Sequence, residues 1–106
     1  MKGFVGKWRI VDMEEWDQDF IDADVKGFIT FSKRGTGEFQ FGYVHGYMDY
    51  RPSELRKADT IEFSWEGNDE ADPAFGRGYA TLHNDGLEGR IYFHEGEDSG
   101  FKAIRM

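Results

Sequence analysis

Gly6-Lys7-Trp8-Arg9-Ile10 near the start of the chain and Phe101-Lys102-Ala103-Ile104-Arg105 at its end decide the fold. Both stretches alternate as strands do. Phe4, Gly6, Trp8 and Ile10 share one face of the first, and Phe101, Ala103 and Arg105 share one face of the last. A closed barrel pairs its last strand with its first. If both sets turn inward, the tryptophan plugs one end of the barrel and the guanidinium stacks on its ring. The expected fold class is all-β: an eight-stranded up-and-down antiparallel barrel with a short helical segment after strand one.

Between these two stretches, six further strand-like runs alternate or end in turn residues. The helical segment follows the first strand, where Met13, Trp16 and Phe20 fall at helical spacing. A second strand is expected over residues 26–32, followed by the turn Lys33-Arg34-Gly35-Thr36-Gly37. Residues 38–45 alternate most cleanly, with Phe39, Phe41, Tyr43 and His45 on one face. A fourth strand over 47–51 has no clear inward face. Residues 60–65 put Ile61, Phe63 and Trp65 on one side and Glu62, Ser64 and Glu66 on the other, and residues 68–75 are expected to be a loop. Over 76–83 the small residues Gly76, Gly78 and Ala80 share a face. Asp85-Gly86 marks a tight hairpin before a strand over 87–94. Hairpin-length links favour a meander over the alternative, an open two-sheet sandwich.

Gly6-x-Trp8, the late Arg105 and the eight-strand meander together resemble the calycin superfamily: lipocalins, fatty-acid-binding proteins and avidins. The chain is also similar to small bacterial proteins with no assigned function. It is shorter than a typical lipocalin and has neither the C-terminal helix nor the disulfide often found there. The resemblance implies a lipocalin-like binding protein that holds a small, mostly apolar ligand inside the barrel. None of the family's ligand-contacting residues carries over by motif.

Composition narrows the classes. The chain has 106 residues, enough for a single domain spanning 1–106. It contains no cysteine, which favours a reducing cytoplasm. A net charge of -8 argues against nucleic acid as a partner. No apolar run approaches the ~20 residues of a membrane span, and no long apolar signal core is expected at the start.

Candidate chemistry gathers at one end. In a meander the connections after strands one, three, five and seven share a rim. Residues 14–24, 66–75 and 95–99 hold 13 of the 21 carboxylates and no lysine or arginine. The other end takes Lys33, Arg34, Arg56 and Lys57, with Lys2 and Arg105 near the termini. An acidic mouth suits a small apolar or cationic ligand. Tyr43, His45, Trp65 and Phe93 are expected to line it, with Trp16 and Phe20 as a lid. The same helix is equally readable as a permanent plug, and the interior as filled by its own aromatic side chains.

Metal binding has only a weak basis. Asp17, Asp19, Asp69 and Asp72 are the candidate ligands, without the glycine and terminal glutamate of a calcium loop. No cofactor is expected. A second functional class is a protein-interaction or homo-oligomerising module with a filled barrel. Its outward Tyr79 and Tyr92 would form an aromatic patch for a partner or a second copy. A third is a carboxylate-dependent enzyme, which requires two carboxylates, or one with His45, converging in a cleft. No nucleophile motif singles out such a centre.

Overall fold

A computed structural model describes residues 3–53 and 59–106. Eight strands follow one another: β1 Gly6–Met13, β2 Phe28–Phe31, β3 Thr36–Phe41, β4 Val44–Pro52, β5 Thr60–Asp69, β6 Asp72–His83, β7 Gly86–Phe93 and β8 Asp98–Arg105. One short helix, α1 Gln18–Ile21, lies between β1 and β2. Each strand pairs antiparallel with the next, and β8 pairs with β1, so the barrel is closed in chain order. Each strand thus has a neighbour on both sides, although β1 beyond Arg9 and β6 before Gly76 are laddered on one side only.

The terminal strands meet as their alternation predicts, with Trp8 opposite Arg105 and Ile10 opposite Ala103. The Arg105 guanidinium carbon lies 4.1 Å from the centre of the Trp8 ring. Arg105 also donates to the carbonyl oxygens of Val5, at 2.8 Å, and Gly3. The buried Trp8 indole donates to the Phe4 carbonyl at 3.0 Å. Gly6 explains the Gly-x-Trp spacing. Its φ is +126°, a conformation side chains rarely adopt, and an added Cβ would lie 2.9 Å from Arg105 Nη1. The glycine therefore permits both the bend into β1 and the approach of the guanidinium. A stacked, partly desolvated arginine of this kind is worth about 1 kcal/mol.

The interior is packed by pairing large residues with glycine. Across neighbouring strands Phe39 faces Gly46, Trp65 faces Gly76, Phe63 faces Gly78 and Phe101 faces Gly89. A Cβ would collide with the partner ring at Gly46, Gly78 and Gly89; at Gly76 it would collide with the Tyr92 carbonyl and crowd the Trp65 indole. Trp65 stands opposite Gly76, and its Nε1 donates to the Tyr92 carbonyl at 3.1 Å. An eight-stranded barrel is just wide enough to be filled this way. The buried side chains form one continuous core from Phe4 and Trp8 at one end to Phe41 and Val44 at the other.

Two stretches differ from their sequence pattern. Residues 38–45 are not one strand: β3 ends at Phe41, and the chain reverses through Gly42 and Tyr43. Gly42 has φ +59°, its N–H donates to the Ile21 carbonyl at 2.8 Å, and Phe20 packs against its Cα. A two-residue reversal restarts the alternation. Val44, Gly46, Met48 and Tyr50 consequently point inward, while His45, Tyr47 and Asp49 point outward. Likewise, residues 68–75 are mostly strand, since β5 and β6 run on to a tight turn at Glu70-Ala71. Glu66 and Phe75 thereby become cross-strand partners on the outer wall. Lys33 and Arg34 occupy the β2–β3 turn at the end opposite the acidic rim. Lys2, Arg56 and Lys57 lie outside the described residues.

Candidate functional site

The interior candidates are engaged with one another. Trp65 and Phe93 meet edge to face with centroids 5.2 Å apart, and Phe39 packs on Trp65 at 5.1 Å. Trp16 closes this end. It lies 5.0 Å from Phe41, 5.9 Å from Phe20 and 6.2 Å from Phe93. Trp16 and Phe20 thus extend the core out of the barrel. The α1 segment that carries Phe20 is held by Asp17, whose carboxylate accepts the Phe20 N–H at 2.9 Å.

Tyr43 and His45 do not join this cluster. Tyr43 sits exposed in the β3–β4 turn, and His45 points outward, its Nε2 3.0 Å from a Glu38 carboxylate oxygen. Their expected inward position assumed an unbroken strand through Gly42.

The rim carboxylates are tethered more than their own segments suggest. Asp22 forms a two-pronged ion pair with Arg9, both contacts at 2.8 Å. It also accepts from the Gly27 N–H at 2.8 Å and from Gln18 at 3.0 Å. The Arg9 hydrogen bonds, aided by those from Gly27 and Gln18, hold the Asp22 carboxyl well below the usual carboxylate range. Arg90, from β7, binds both Glu14 and Asp98. These cations come from strand positions outside the acidic segments, so only the closed fold reveals them. Asp17, Asp19, Asp69 and Asp72 are not brought together as a metal site. Among the described residues, no three histidine or carboxylate side chains are placed to hold a metal ion.

The outer wall of β4–β7 carries a groove of about 1050 Å³. Its side chains are set by register. One row across the sheet reads Tyr47, Glu66, Phe75; the next reads Asp49, Ser64, Arg77, Tyr92; a third contains Glu62 and Tyr79. Tyr47 is 56% exposed and Phe75 is 54% exposed. Glu66 and Arg77 have no hydrogen-bond or ion-pair partner among the described residues. Phe75 stacks on His94, with ring centres 4.6 Å apart. Beyond that pair lies a smaller rim cleft of about 320 Å³, lined by Asp69, Asp72 and Glu97 around the rings of Trp16 and Phe93. Phe75, Phe93 and His94 border both hollows.

Alternation in β6 signals half of this site. With Gly76, Gly78 and Ala80 turned inward, Arg77 and Tyr79 must face out, and Tyr92 follows in β7. Glu66 follows from the alternation of β5 with Glu62 and Ser64, whereas Tyr47 and Phe75 escape a reading of the sequence. Tyr47 depends on the phase shift at Gly42, and Phe75 on a strand that continues through a polar stretch. Comparisons with family models, with curated proteins and with solved structures give no match to this chain.

Proposed function

We propose that the protein is a recognition module that binds its partner on the outside of the barrel, across the β4–β7 wall. One observation carries this reading: the rings that would line an internal pocket pack on one another, while Tyr47 and Phe75 stay more than half exposed over a 1050 Å³ groove. Large exposed aromatic side chains clustered in a hollow are the usual mark of a binding surface. Closure strengthens the case. Each strand already has a neighbour on both sides, which favours recognition by side chains on a face over addition of a strand.

The calycin-like closure by Trp8 and Arg105 supports a rigid scaffold of that family's shape, with the binding surface moved from the interior to the wall. The absence of cysteine favours a cytoplasmic setting.

Selection from a random peptide display library tests the reading. Peptides enriched on the protein should lose at least about tenfold in affinity on a Tyr47→Ala/Phe75→Ala double variant. Selected binders indifferent to that double variant would refute it. So would a co-purified small molecule that native mass spectrometry finds retained equally by protein and double variant.

A further inference from the structure

The groove also specifies the chemistry of its partner. Resting on the outer-wall reading above, we infer that the partner is an extended, basic peptide segment, with one lysine or arginine lodged between Tyr47 and Phe75 against Glu66. The register places Glu66 directly between the two rings, on the middle strand of three. Directly opposed side chains on adjacent strands have Cβ atoms about 5 Å apart. A cation entering this row therefore meets a carboxylate flanked by an aromatic side chain on either side. Ion pairing and cation–π attraction act together there. A lysine stem also has the apolar length to cover the rings.

Charge around the row has the same sign. Asp49 and Glu62 border the groove, and Asp69, Asp72 and Glu97 border the adjoining rim cleft. Arg77 is the one lysine or arginine lining the groove among the described residues. It stands in the next row, between Ser64 and Tyr92, where it can meet a partner carboxylate or backbone carbonyl. The rim cleft has no lysine or arginine in its lining among the described residues. From β4 to β7 the groove crosses three strand spacings, roughly 14 Å, which about four or five residues of extended chain would span. A segment laid across the wall can thus place one basic side chain over Glu66 and the next at the rim carboxylates beyond Phe75.

Fluorescence anisotropy with three labelled short peptides, alternating threonine with lysine, with glutamine or with glutamate, tests the inference. The lysine peptide should bind at least about tenfold more tightly than the other two and weaken with added salt. Glu66→Gln and Phe75→Ala should each cost it about tenfold, whereas Tyr43→Ala, an exposed ring outside the groove, should cost nothing. Circular dichroism melts confirm that each variant is folded.

If all three peptides bind alike and all depend on Phe75, the cationic partner is refuted while the outer-wall reading stands. If the lysine peptide binds but ignores both Phe75→Ala and Glu66→Gln, or if no peptide binds, both are refuted. Self-association that disappears in Phe75→Ala would overturn the inference in favour of a second copy of this chain. Tetramethylammonium displacing the lysine peptide completely at millimolar concentration would overturn it in favour of a small ammonium ligand.

Discussion

Along β5, alternate residues of one strand meet two different environments. Ile61, Phe63 and Trp65 are almost wholly buried, each closed in by neighbouring side chains. Glu62, Ser64 and Glu66, one residue along in each case, stand on the open groove. The inner face is matched partner by partner, a ring over a glycine, so each side chain has one place to be. The outer face has the bulk of Tyr47, Phe75, Tyr79 and Tyr92, yet Tyr47 against His45 and Phe75 against His94 remain more than half exposed. Burying an aromatic ring is worth about 1.5–3 kcal/mol. On the inside that free energy has gone into folding. On the outside, at Tyr47 and Phe75, more than half of each residue is still in water.

The largest effect should come from breaking the inner face. Phe39 is fully buried and packs on Phe41, Phe63 and Trp65 while filling the space over Gly46. Phe39→Ala should destabilise the protein by about 3–5 kcal/mol, the range for emptying such a core site. Urea denaturation followed by tryptophan fluorescence measures it. A loss under about 1 kcal/mol would mean that the interior is loosely filled, and the contrast between the faces would fail.

Gly78→Ala attacks the same face from the small side. The added methyl would overlap the Phe63 ring and crowd the Arg90 carbonyl, 2.6 Å away. A cost of about 1–3 kcal/mol is expected for overpacking of this kind. Phe63→Leu in the same chain should cost less alongside Gly78→Ala than alone, because the smaller side chain makes room. A double-mutant cycle with no coupling would show that the ring–glycine pair is not the packing unit.

How far the sequence discloses this architecture differs by region. Trp8, Gly6 and Arg105 are legible because strand parity and chain position together leave one way to join the ends. The small residues of β6 are legible too, since only large neighbours can fill the space over them. Tyr43 and His45 mislead for a specific reason. Alternation continues through Gly42 as letters, and only the positive φ of that glycine, fixed by Phe20 and Ile21 from a distant segment, reverses the chain. The reach of Arg9 to Asp22 and of Arg90 to Glu14 belongs to closure, which local charge patterns do not encode.

Arg9 and Asp22 mark a polar contact at the surface that does stabilise. Asp22 ties the β1–β2 connection to β1 through Arg9, and its side chain is a quarter exposed. Asp22→Asn should cost about 1–2 kcal/mol near neutral pH, the low part of the range for charge-assisted hydrogen bonds. The carboxyl is depressed in the fold relative to its ordinary value of 3.8. Its contribution is therefore complete above that value and declines as pH falls below it toward the folded value. The gap between protein and variant in urea midpoint should narrow from about pH 7 to about pH 3. A gap that stays constant across that interval would show that the ion pair does not hold the segment.

The smallest effect should be on the outer face. Phe75→Ala removes a ring that stacks on His94 and borders two hollows but is 54% exposed. Its strand is held by ten register pairs with β5, none of which needs the side chain. Stability should change by no more than about 0.5 kcal/mol, as for substitutions on an open surface. Glu66→Gln should be equally neutral, since no partner among the described residues loses an ion pair. Thermal melts of both variants decide the point. A loss above about 2 kcal/mol in Phe75→Ala would place the ring among the folding contacts. The outer wall would then be a second packed layer, with no free energy held back for a partner. A near-zero change would show that folding does not depend on this ring, which the proposed recognition of another molecule requires.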